Sequence, residues 1–285
     1  MDETLGVVVA YDGSDHAMQA LDWAMDEAEF RRLPLTLCHA WQWPYGDGDQ
    51  AARDSLRSAA QHVLWHGADC ARASTSGLDV RPDLYEGSAT DRLESLSTDA
   101  ELLVVGSRGL GAVARAVVGS VAAHTAAHAH CPVIVVRGRG SVPRSSHPGP
   151  VVAGVTDDGK AEAVLAFACE EARARSVPLI VIHAWTQPPV TWGGMTVPAL
   201  NPLDAQHVTE NWRQAAENWL ADLLLPWRKK AHVTIEARVT QPRADDALNS
   251  VSDATLMVVG CPQGRFGSVT ASMLRRSPCP VAVVR

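Results

Sequence analysis

Lysine is missing from the first half of this 285-residue chain; the first one is Lys160. A Walker-type phosphate loop needs a lysine on the phosphates, so that mode of binding is excluded there. A phosphate held in the first half must rest on backbone amides, hydroxyls, Arg108 or Arg115, and a metal cation. Positive charge is scarce generally: residues 1–140 carry 11 arginines against 19 acidic residues, and the whole chain has a formal charge of −7. Neither half has the basic footprint of a nucleic-acid binder. No C-x-x-C pair occurs, and the six scattered cysteines read as small core residues outside any disulfide framework. No uncharged apolar run approaches the length of a membrane helix. The opening Met1-Asp2-Glu3-Thr4 is acidic and runs straight into a strand, so no secretory leader and a cytoplasmic location are expected. Catalytic signatures are lacking too. There is no G-x-S-x-G, no H-E-x-x-H, no kinase set and no acid–base pairing of a fast hydrolase.

What is present is ordinary for a soluble globular protein: 46% hydrophobic and 20% charged residues, with length enough for two domains. Val7 to Tyr11 is a continuous apolar run, as in a strand buried on both faces. Asp12-Gly13-Ser14-Asp15 turns the chain into a helix whose apolar positions from Ala17 to Ala28 keep helical spacing. Strands are expected at 35–41, 80–85, 102–105 and 132–136, with helices at 51–72, 90–97 and 120–129 between them. Such alternation argues for a parallel sheet with right-handed crossovers.

The unit is then written a second time. Pro178 stands 144 residues after Pro34, and His183-Ala184-Trp185 stands 144 after His39-Ala40-Trp41. Cys279-Pro280-Val281 repeats Cys131-Pro132-Val133 at a shift of 148. Two homologous α/β domains are expected, residues 1–138 and 150–285, with a Gly-, Ser-, Pro- and Arg-rich linker at 139–149.

One stretch organises the first copy. Val104-Val105 ends in Gly106, Gly109 follows, and Gly119-Ser120 opens the next helix. A strand, a glycine loop and a helix N-terminus together hold an anion on backbone amides. At this point the chain resembles the universal stress protein family in its tandem form. The resemblance rests on Ala10-Tyr11-Asp12-Gly13-Ser14, His39-Ala40-Trp41, Gly87, Gly106-x-x-Gly109 with Gly119-Ser120, and Cys131-Pro132-Val133, taken in order. It implies two flavodoxin-like or Rossmann-like domains, each a five-stranded parallel sheet flanked by helices. It also implies ATP, with Mg2+, at the carboxyl edge of the sheet. By that resemblance Asp12 lies near the ribose and phosphates, while Ala10, Tyr11 and Ala40 line the adenine or ribose. Gly106, Arg108, Gly109, Gly119, Ser120 and Val121 wrap the triphosphate. Family members often pair through the strand matching Pro132 to Val136, which implies a homodimer or pairing of the two copies within one chain.

The second copy departs from the pattern. Thr156, Asp157 and Asp158 replace Asp12, Gly13 and Ser14, Pro242 replaces Gly87, and Gly260 to Gly267 spans seven positions where Gly106 to Gly119 spans 13. A single ATP site, in the first copy, is therefore expected, serving a regulatory or stress-response role. Slow ATP hydrolysis or autophosphorylation at Ser120, and a nucleotide-independent scaffold, are the alternatives. His124 and His128 share a helix face but lack a third metal ligand and read as helix surface. His39 and His183 read as packing or hydrogen-bonding residues. Trp212, Trp219 and Trp227 read as core or domain-contact residues of one helix, and residues 186–204 as a long loop.

Overall fold

The computed structural model describes residues 4–46, 49–109, 118–137, 149–186, 191–192, 195–196, 202–241, 243–262 and 264–285. Linker residues 139–148, Arg115, Pro242 and most of the 186–204 loop lie outside them.

The first half runs β1 (Gly6–Ala10), α1 (Asp15–Arg31), β2 (Leu35–Trp41), α2 (Gln50–Ser74), β3 (Val80–Glu86), α3 (Ala89–Leu96), β4 (Ala100–Gly106), α4 (Ser120–His128) and β5 (Val133–Val136). The second begins with β6 (Val151–Val155), α5 (Ala161–Arg175) and β7 (Leu179–Ala184). A small antiparallel pair follows, β8 (Thr191–Trp192) with β9 (Met195–Thr196). The chain then continues through α6 (Pro202–Lys230), β10 (Ile235–Thr240), α7 (Ala244–Asn249), β11 (Leu256–Gly260), α8 (Ser268–Arg276) and β12 (Val281–Val284). No helix among the described residues is long and apolar enough to cross a membrane.

Each half is a parallel sheet, ordered β3-β2-β1-β4-β5 in the first and β10-β7-β6-β11-β12 in the second. The two join edge to edge. β5 and β12 pair antiparallel, Val135 opposite Val281 and Val133 opposite Val283, so one ten-stranded sheet spans the molecule. Successive strand residues alternate between two cores: Val7 and Val9 face α1 and α2, whereas Val8 packs with Leu93 and Ala126 of α3 and α4. Burial on both faces explains the unbroken apolar runs.

On the α1 face the halves meet through a buried ring that repeats itself at the shift of 144. Glu27 and Glu171 are both fully buried. Arg31 of α1 bonds Glu171 at 2.6 Å and Glu27 at 3.4 Å, while Arg175 of α5 binds both carboxylates in turn. Each guanidinium also lies over an aromatic ring of the opposite helix, Arg175 on Trp23 at 4.8 Å and Arg31 on Phe167 at 5.6 Å. Burial, with the Glu27 carboxylate beside it, pushes the Glu171 carboxyl up to about 7 against the pull of Arg175 and Arg31.

One tryptophan departs from expectation. Trp219 packs against His183 with ring centroids 4.4 Å apart and Trp227 lies against the core, but Trp212 is 44% exposed. Between residues 206 and 215, α6 is exposed almost throughout, and its burial begins at Ala216.

Candidate nucleotide cleft

A cleft of about 370 Å³ opens at the carboxyl edge of the first parallel sheet, where β1 and β4 send their connections to opposite faces. Ligands of open α/β sheets bind at this topological switch point. The structure brings all ten expected residues to its walls.

From β1 come Ala10, Tyr11 and Asp12. The Asp12 carboxylate accepts the Ser14 N–H at 3.0 Å, and the Ser14 hydroxyl caps α1 by accepting the Ala17 N–H at 3.2 Å. That turn fixes where the carboxylate points. The Tyr11 carbonyl accepts the Nδ1–H of His39 at 2.7 Å, and its phenol lies 3.4 Å from His66 Nδ1 on α2. Burial raises the Tyr11 phenol above its ordinary value. The matched residue His183 makes the same bond to the Val155 carbonyl at 3.1 Å, so both histidines tie a strand end. Ala40 enters from β2, opposite Tyr85 of β3.

The glycines are dictated by close approach. A Cβ on Gly106 would stand 2.7 Å from the His16 carbonyl oxygen, and one on Gly109 would stand 2.5 Å from Asp12 Oδ2. At Gly106 the neighbour is helix backbone and only glycine leaves that space, whereas at Gly109 it is the Asp12 side chain that would have to turn aside. The loop closes when Gly119 N–H bonds the Ser107 carbonyl at 2.9 Å. Gly119 then caps α4 without a side-chain bond, and the first internal helical bond runs from Ala123 N–H to Gly119 O. The N–H groups of Ser120, Val121 and Ala122 thus have no partner within the helix and open on the cleft. Arg108 completes this end. Burial of the nearby Arg137 guanidinium, and then the Arg108 charge, hold it below its ordinary value, so an anion here would relieve a repulsion.

Cys38 and the α3 pair Ala89 and Leu93 also line the cleft. They went unnoticed in the sequence, where the four-residue spacing of the α3 pair was the only signal. Among the described residues no cluster suits a metal ion. His124 stacks on His128 at 4.2 Å and lies 3.2 Å from Glu94.

The second half carries a matching cleft of about 450 Å³. Thr156 stands where Asp12 does, while Asp157 and Asp158 are exposed and form no part of its wall. The acidic group in this cleft is Asp245 of α7, which accepts the Ser272 hydroxyl at 2.9 Å and is held below the usual carboxylate range by that bond. Arg243, which also lines this cleft, lies 3.9 Å from Asp245, and the two aspartates that replace Gly13 and Ser14 stand outside it.

Comparison with known proteins follows the same duplication. The model of the universal stress protein family matches residues 6–137 and again 149–285. The universal stress protein Rv2623 of Mycobacterium tuberculosis is 30% identical over 310 aligned positions, covering 99% of this chain and 97% of the relative. A universal stress protein of Mycolicibacterium smegmatis is 29% identical over 98% of this chain and 97% of its own length. Among solved structures, a universal stress protein from Archaeoglobus fulgidus superposes with a TM-score of 0.68 at 15% identity, covering 99% of this chain and 98% of its own, a likeness of fold.

Proposed function

The chain belongs to the universal stress protein family, and on that premise we propose that it binds an adenine nucleotide, ATP with Mg2+, in the first-half cleft. Occupancy then sets its conformation or its choice of partner in a cytoplasmic stress response. The observation that carries this reading is the set of α4 amides with no partner within the helix, on the same cleft as Asp12, Gly109 and Arg108. Amides at a helix N-terminus and one arginine receive the phosphates. The small side chains of Ala10 and Ala40 leave width for the base and ribose. The Asp12 carboxylate would repel a bare triphosphate. A ribose hydroxyl donating to it, or Mg2+ on the phosphate oxygens, reverses that sign. When bound, the metal supplies charge neutralisation, and the chain's own residues supply position.

In this reading residues 1–138 and 150–285 are the two domains, joined by 139–149, and the second is structural. Ligand that binds only the folded state raises its stability by mass action, by about 2.7 kcal/mol at a concentration one hundred times Kd. Millimolar ATP with Mg2+ is expected to raise the melting temperature of the wild-type chain. Asp12→Ala, or Gly109→Val with its clash against Asp12, is expected to abolish the rise. No shift in the wild type would contradict the reading.

A further inference from the structure

Each half of the molecule closes the C-terminal end of a helix that belongs to the other. Arg285, following β12, donates from Nη2 to the Ala126 carbonyl at 2.6 Å and from Nη1 to that of Ala129. Between them, the Gly264 N–H of the shortened second loop donates to the Ala127 carbonyl at 2.8 Å. All three carbonyls belong to the last turn and cap of α4. The arrangement is mirrored. Arg137, following β5, donates from Nη1 to Leu274 and, at 3.3 Å, to Met273, and from Nη2 to Arg275 at 2.7 Å, all on α8. Neither guanidinium forms a salt bridge with a carboxylate among the described residues, and the Nε of each is buried without a partner. Helix carbonyls are what these cations are spent on. A cation on the last carbonyls both satisfies them and matches the negative end of the helix dipole.

α4 has nine residues, a rod of about 13 Å. Its first turn forms the phosphate end of the cleft and its last turn is gripped from the other half. We propose that Arg285 is a positioning residue for the first-half cleft: supplied by the second half and touching no ligand, it fixes α4 so that the Ser120 and Val121 amides face the phosphates. This rests on the nucleotide reading of that cleft. The shortened loop of the second half has lost the span to enclose a triphosphate and instead holds the helix that the other cleft depends on. The two halves are coupled through helix ends as well as through the sheet.

The test uses the full chain and two measurements. Hydrogen exchange without ligand is compared for wild type, Arg285→Gln, Arg285→Lys and Arg137→Gln. Calorimetric titration with ATP and Mg2+ is then run on the wild type and the two Arg285 variants. Arg285→Gln is expected to speed exchange in α4 and spare α8, and Arg137→Gln to do the reverse. Arg285→Gln should weaken ATP about tenfold, an ordinary magnitude for coupling between sites, and Arg285→Lys, which keeps the cation, should recover part of the loss. Wild-type affinity in Arg285→Gln, or exchange raised evenly across both halves, would overturn the proposal. No ATP binding by the wild type would overturn the nucleotide reading and this role with it. The unliganded exchange pattern separately decides whether Arg285 holds α4.

Discussion

At the scale of single residues, the cleft is built from absences of side chain as much as from side chains. Gly106 and Gly109 stand where a Cβ would strike the α1 backbone and the Asp12 carboxylate; the resemblance placed these residues at one site, and the contact between them came only with the fold. Cys38, Ala89 and Leu93 were not, because their types are those of any core and only the fold turns them toward the cleft. The residue with the sharpest pH consequence lies elsewhere. The Glu171 carboxyl stands at about 7 in the folded chain against an ordinary 4.5. Between those values the folded chain keeps a proton that the unfolded chain has released. The stability that goes with it is full below the lower value and is lost as pH rises through the upper one. The melting temperature is therefore expected to fall as pH is raised across this window, and Glu171→Gln to flatten the slope. A slope unchanged by the substitution would contradict this origin.

At the scale of elements, periodicity and turn chemistry gave most of the first half, since apolar runs ending at Asp12 or Gly106 have few other uses in an alternating chain. Three features were beyond periodicity and turn chemistry. β5 and β12 read like every other buried strand; their pairing was implied by the resemblance alone, and its antiparallel sense by nothing in Val133–Val136. The tryptophans of α6 share a helix, yet its N-terminal part extends past the core and leaves Trp212 in solvent. The α1–α5 ring was hidden for a related reason: Glu27, Arg31, Glu171 and Arg175 look like solvated helix charges until two helices are brought together. Removing one member strands the others in a buried setting, since Glu27 and Glu171 are fully buried. Arg175→Ala is expected to destabilise the chain by about 3–5 kcal/mol in urea unfolding followed by circular dichroism. A loss within about 0.5 kcal/mol, the size of an ordinary surface substitution, would show that the ring is not buried in solution.

At the scale of the whole molecule, duplication has made one sheet out of two and left the clefts unequal. β5 and β12 occupy each other's edges, the pairing of the two copies within one chain that the resemblance implied beside a homodimer. The remaining sheet edges are β3 and β10. The first cleft keeps the long loop and Asp12; the second has Thr156, Asp245 and the short loop that reaches α4 instead. On the proposed reading this inequality leaves one nucleotide site per chain, and the stoichiometry of ATP binding decides it. Titration calorimetry with Mg2+ is expected to give one ATP per chain, lost in Asp12→Ala and retained in Thr156→Ala. Two ATP per chain, or a site that survives Asp12→Ala and disappears with Thr156→Ala, would contradict it.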